Sequence, residues 1–110
     1  MSNVAQLIRN YPTPANGVAL FWLGNSGFAF RAGNGQVIYI DPLLSDAVYG
    51  VNRWQRLQPP PFRPAEADCD LLLITHGHAD HLDPDSVPGI AQVTRAPIAA
   101  PPSCVGRMVQ

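Results

Sequence analysis

Residues 71–83 read LLLITHGHADHLD. Three leucines, an isoleucine and a threonine run straight into His76, Gly77, His78, Ala79, Asp80 and His81. A short apolar run of this kind, entered through Asp70, is the pattern of a strand buried in a sheet. All three histidines of the chain fall within residues 76–81, at the exit of that strand. In a helix the rings of His76 and His78 would diverge by about 200°, and Gly77 would cost about 1 kcal/mol. In extended chain, positions 76, 78 and 80 point the same way, with about 6.6 Å between successive members. His81 has the opposite parity. It joins the others only if the chain turns near 79–81, which the small residues at 77 and 79 permit. The stretch therefore predicts a loop at a strand exit, with two imidazoles, a carboxylate and a third imidazole converging on a cation. That donor set suits a borderline metal such as Zn²⁺. Exposed or hydrogen-bonded histidines without a metal would be the better reading for one histidine than for three at this spacing.

Downstream, Asp83-Pro84 has the form of an N-cap followed by Pro at the first helical position, and Pro88 and Gly89 predict a short or kinked helix. PIAA (97–100) reads as a strand, and Ser103 as the cap of a helix carrying Val105, Met108 and Val109 on one face. Upstream, FAFRA (28–32) and QVIYI (36–40) are strands joined at Asn34-Gly35, a pair that favours a type I′ hairpin turn. VALFWL (18–23) precedes them across GNSG (24–27), completing a three-stranded antiparallel meander that Asp41-Pro42 ends. GNSG is a tight strand connection and not a phosphate loop, since it lacks the G-x-G-x-x-G spacing and no helix follows. Val4, Leu7, Ile8 and Tyr11 recur at helical spacing before the break at YPTPANG. Residues 43–70 read as mostly irregular, and PPPFRP (59–64) excludes regular structure there. So long a connection is usually functional. Within it, Arg53 and Arg56 flank Trp54 and are candidates for a phosphate or a sugar ring.

The chain has 110 residues, the size of one domain, with seven Arg, no Lys and eight acidic residues for a net charge of −1. No basic cluster exists to neutralise a nucleic acid backbone. The N-terminus has no secretory h-region, and no apolar run reaches the roughly 18 residues of a membrane span. Cys69 and Cys104 read as reduced, partly buried thiols of a cytoplasmic protein, although sequence leaves a disulfide between them open. Ser26, Ser45 and Ser86 have no histidine to spare as a base, which argues against a serine hydrolase. A tetrahedral catalytic zinc takes three protein ligands plus water, and a two-metal site needs more than four groups. The missing ligands would come from beyond Gln110 or from a carboxylate such as Asp41. No helix stop follows Arg107, so the chain is expected to be the N-terminal part of a longer protein, inactive and poorly stable alone.

His-x-His-x-Asp-His after an apolar strand, preceded by a meander that ends in Asp, resembles the metallo-β-lactamase fold superfamily over residues from about 18 to 110. The resemblance implies an α/β protein whose fold is an αββα sandwich, with only the N-terminal half (meander, buried strand, flanking helices) in these residues. It implies His76 and His78 at one metal and Asp80 and His81 at a second, with zinc the default and manganese admitted. It gives Asp80 a catalytic role and puts Asp41 behind the site, holding a ligand ring or the motif loop. Read without it, Asp41-Pro42 is a turn initiator. Leu82-Asp83-Pro84 after the motif separates the chain from glyoxalase II and the β-lactamases, and His78 separates it from flavodiiron proteins. FWLGNSGFAF, IDPLLSD, RLQPPPFRP, THGHADHLD and APPSCV together resemble the L-ascorbate-6-phosphate lactonase-like branch. THxHxDHLD followed by Ser86-Val87 is also similar to the N-acylphosphatidylethanolamine-hydrolysing phospholipase D branch. The implied activity is a hydrolase that uses a metal-bound hydroxide on a lactone, such as a phosphorylated sugar lactone. A phosphodiesterase and a non-catalytic metal-binding fragment are the alternatives. Partners would be a small-molecule substrate and, admissibly, further copies of the chain. No nucleic acid or membrane insertion is expected.

Overall fold

Val18–Gly24 (β1), Gly27–Ala32 (β2) and Val37–Ile40 (β3) form the predicted antiparallel meander. They are seen in a computed structural model that describes residues 3–47 and 56–108. Arg53 and Trp54, candidates for a phosphate or a sugar ring, lie outside the described residues. Leu71–Leu73 (β4) adds parallel to β3, and Ile98–Ala99 (β5) parallel to β4, giving one mixed sheet of order β1-β2-β3-β4-β5. Parallel neighbours need crossovers. Residues 41–70 supply the first, which includes a 3-10 turn at Pro64–Glu66, and the second carries the helix Ser86–Thr94. Because β3 and β4 run the same way, their C-terminal ends lie side by side. The Asp41 N–H donates to the Leu73 carbonyl at 3.0 Å, so the residues after both strands emerge at one edge.

Among the described residues three helices flank the sheet: Val4–Arg9 (α1), Ser86–Thr94 (α2) and Pro102–Met108 (α3). Alternation divides the strands. Ala29, Val37, Tyr39 and Leu72 share a core with Ala5 and Ile8 of α1 and Val87 and Ile90 of α2. The opposite face carries Val18, Leu20, Trp22, Phe28, Phe30, Ile38, Ile40, Leu71 and Leu73, all apolar and in register across four strands. The described residues thus form one sheet, a mixed α/β arrangement consistent with the expected fold class.

Several local expectations are corrected. At the β2–β3 turn only Gly35 has positive φ, and Gly35 N–H donates to Ala32 O while Ala32 N–H donates to Gln36 O. That is a wider, bulged hairpin, which needs left-handed backbone at the glycine alone, and not the type I′ turn. Tyr11 lies beyond α1, which ends at Arg9; its ring instead meets Phe21 edge-on at 5.2 Å. Ser103 sits inside α3, not at its cap, because Pro102 takes the first helical position. The regular part of α2 starts only at Ser86, but Asp83 caps the turn that leads into it, its carboxylate accepting from Asp85 N–H and its carbonyl from Val87 N–H, both at 3.1 Å; the same carboxylate also reaches Ser45. Pro88 does not break α2, since in the first turn its missing N–H has no helical partner to lose. Gly89 is required by packing: a Cβ there would lie 2.7 Å from Pro64 Cβ, so α2 and the proline-rich connection touch where a side chain is missing.

Candidate metal centre

The chain leaves β4 after Leu73 and turns tightly through the histidine cluster, with His81 N–H and Leu82 N–H both donating to His78 O at 2.9 and 2.7 Å. This turn brings His81 round to its neighbours despite its opposite parity. The His76 and His81 ring centroids are 4.0 Å apart, and His76 meets His78 edge-on at 4.7 Å. Asp80 Oδ2 lies 3.6 Å from His81 Nε2. Of the four side chains named from the motif, His76 and His81 bring donor atoms within 4.8 Å of each other, while His78, the most open to solvent, and Asp80 each contact one of these two rings without joining that close group.

Asp41 enters the histidine cluster from the end of β3. It is 3% exposed and holds a left-handed backbone (φ 48°), unusual for a non-glycine residue. One donor atom each from Asp41, His76 and His81 lies within 4.8 Å of the others. Even so, both Asp41 oxygens are engaged. Oδ1 accepts from Thr75 N–H at 2.8 Å, and Oδ2 accepts from Thr75 Oγ1 at 2.5 Å and lies 2.7 Å from His81 Nδ1. A carboxylate so occupied holds the ring and the motif strand better than it faces a cation.

These contacts decide where the ring protons go. Next to a carboxylate oxygen, His81 Nδ1 is the protonated nitrogen, which leaves the Nε2 lone pair free. Thr75 has one hydroxyl proton and gives it to Asp41, so toward His76 Nδ1, 2.9 Å away, its oxygen acts as acceptor. His76 thereby also carries its proton on Nδ1 and presents Nε2. Two imidazoles that can present Nε2, oriented by carboxylate and hydroxyl partners and set beside the Asp80 carboxylate, are the donor chemistry a divalent transition metal requires. The residues present fit such an ion.

Thr75 was missed in the sequence, because a threonine closing an apolar strand has no mark that separates it from any β-branched strand residue. The GNSG turn reaches the site as well. Asn25 donates to the Asp80 carbonyl at 3.4 Å, and a Cβ on Gly27 would lie 3.0 Å from Asp41 O. Arg56 is tied down: its guanidinium donates to Leu43 O at 3.2 Å and Ser45 O at 2.7 Å and pairs with Asp46. Cys69 and Cys104 are free and buried, and burial pushes the Cys69 thiol up to about 11, so it stays protonated at neutral pH. No helix among the described residues is long and apolar enough to cross a membrane.

The sequence profile of the beta-lactamase superfamily domain matches residues 19–101, which include every strand except the first residue of β1 and the whole histidine loop. The chain belongs to this superfamily. Among curated relatives, a UPF0173 metal-dependent hydrolase of Cupriavidus taiwanensis is 39% identical over 88 residues, 77% of this chain and 27% of that protein. An uncharacterized protein of Mycobacterium tuberculosis is 36% identical over 94 residues, covering 83% and 25%. A UPF0173 metal-dependent hydrolase of a Polaromonas species is 34% identical over 89 residues, covering 80% and 30%. The chain spans between about a quarter and a third of the length of these relatives.

Proposed function

We propose that the chain carries the metal-holding loop of a metal-dependent hydrolase. The observation that supports this most directly is the pair of oriented imidazoles, His76 and His81, each with Nδ1 committed to a partner and Nε2 left free. His76 and His78 would hold one ion, and Asp80 and His81 a second. A divalent ion bound there supplies a nucleophilic hydroxide at neutral pH and an electrophile for a carbonyl or phosphoryl oxygen. Asp41 keeps the His81 ring in its metal-accepting tautomer. Asp80, beside His81 Nε2, is the carboxylate placed to take a proton from the nucleophile. Zinc is the default ion by donor chemistry, and manganese is compatible with the carboxylate. The name metal-dependent hydrolase borne by two of the relatives supports the same reading.

The substrate class we favour is a lactone of a small phosphorylated sugar acid, in a cytoplasmic enzyme, by the resemblance of the motif-flanking segments. In the whole protein a second sheet would cover the apolar face that Leu20, Trp22, Phe28 and Phe30 present, completing an αββα sandwich. The test begins with metal analysis of the purified protein, with His76→Ala and His81→Ala beside it. About one or more equivalents of zinc or manganese in the parent, and a clear loss in both variants, is the expected result. Parent protein with no divalent ion after reconstitution would end the proposal. Turnover of lactones over phosphodiesters by the metal-loaded protein is expected next, and the reverse preference would transfer the assignment to the phosphodiesterase branch.

A further inference from the structure

Asp83 is fully buried (0% exposed), yet it is two residues past the histidine loop on a chain otherwise turning toward solvent. Its carboxylate is saturated. Ser45 Oγ donates to both oxygens, at 2.9 and 2.6 Å, Asp85 N–H donates to Oδ1 at 3.1 Å, and Ser86 Oγ donates to Oδ2. The Ser86 hydroxyl also accepts from Leu44 N–H at 2.8 Å. Two of these links are local, an ordinary turn before a helix. The other two are not. Ser45 and Leu44 lie on the segment that leaves Asp41, some 40 residues away in sequence. From the other side of that segment Arg56 holds Leu43 O and Ser45 O.

Of the two segments joined at Asp83, one carries an orienting carboxylate and the other residues that would hold the ions. One begins at Asp41, which sets the His81 ring. The other is the turn from His78 to His81. A buried carboxyl group that accepts from three side-chain and backbone donors is a stiff joint. A plain helix cap would not need a partner from across the fold. We propose that Asp83, through Ser45, is a positioning residue for the metal centre: it sets the distance between Asp41 and the histidine turn. This rests on the metal-centre reading above.

The experiment is a zinc titration of the full chain against a chromophoric chelator, with cobalt absorption spectra and thermal melts of the metal-free protein alongside. Variants are Ser45→Ala, Ser45→Thr and Asp83→Asn. Ser45→Ala removes one of the two tertiary links, leaves Leu44 N–H on Ser86 Oγ and keeps the turn, so it serves if Asp83→Asn does not fold. Expected is a fall in zinc affinity of about tenfold or more for Ser45→Ala, a changed cobalt visible band, a metal-free melting point lower by several degrees because the buried Asp83 loses a donor, and recovery of affinity, band and melting point with Ser45→Thr. Parent-like affinity and spectrum in Ser45→Ala would overturn the proposal while leaving the metal centre standing. So would an affinity loss with a parent-like cobalt band, which lowered stability alone would give. A parent chain that binds neither zinc nor cobalt would sink both readings together, and that outcome is told apart by the parent titration alone.

Discussion

Thr75 has one hydroxyl proton and stands between two groups that could take it. Its bond to Asp41 makes its oxygen an acceptor toward His76, so one side chain transmits the carboxylate's preference to a second ring. Long-range nitrogen–proton spectra of the metal-free chain should therefore show the Nδ1–H tautomer at both His76 and His81. Thr75→Val keeps the shape and removes the relay. It should release the tautomer of His76 but not of His81, and lower zinc affinity by about tenfold to a hundredfold. Unfolding by urea should move by about 1–3 kcal/mol, since the hydroxyl loses both its bond to the buried Asp41 and its contact with His76. An unchanged His76 tautomer in that variant would refute the proton assignment. Replacing Asp41 by Ala is a harsher change. It leaves the Thr75 N–H without its acceptor and frees both rings, so affinity and stability should fall together.

The six residues of α1 are too few to hold a helix in water by themselves. What holds it is partly the burial of Ala5 and Ile8 and partly Arg9. The Arg9 guanidinium bonds Asp68 Oδ1 at 2.8 Å, Asp70 Oδ2 at 2.7 Å and Gly35 O at 3.0 Å. Asp70 in turn accepts from Val37 N–H at 2.9 Å, so one cation ties α1 to the ends of β3 and β4. The Arg9 hydrogen bond holds the Asp70 carboxyl below its usual value. A depressed folded value means stability present at neutral pH and lost as pH falls through the acidic range. Arg9→Ala should cost about 1–2 kcal/mol in urea unfolding and remove amide protection from residues 5–10. It should also flatten the acid limb of the stability profile. Retained protection across α1 would show that Ala5 and Ile8 suffice.

At the scale of the whole molecule the two faces of the sheet differ in kind. One is closed by α1, α2 and the proline-rich connection, while the other is apolar from β1 to β4 and more open. Val18, Leu20 and Trp22 on the edge strand are 62%, 58% and 60% exposed. Strands apolar on both faces belong to a sheet covered on both, and an exposed patch of several hundred Å² marks a surface meant for contact. The chain by itself should bind a hydrophobic dye. Leu20→Lys should weaken that binding and shift unfolding by less than about 0.5 kcal/mol, because few contacts are lost. A chain that binds no dye, or one that unfolds on this substitution, would show the face to be already closed.

Local chemistry alone determined the meander, the buried strand, the loop at its exit and the candidate metal-binding side chains. Each follows from a period of two, from turn residues, or from donor atoms crowded within six positions. Asp41 was visible as a candidate because it ends a strand. The roles of Thr75, Ser45 and Asp83 were not legible, since a hydroxyl or a carboxylate near a turn looks the same whether it caps a helix or reaches across the fold. Only the parallel pairing of β3 with β4 decides that question. It sets two strand ends side by side, so groups more than 30 residues apart in the chain meet within hydrogen-bonding distance. Pairing between distant strands depends on the closing of the chain as a whole, which no local window contains.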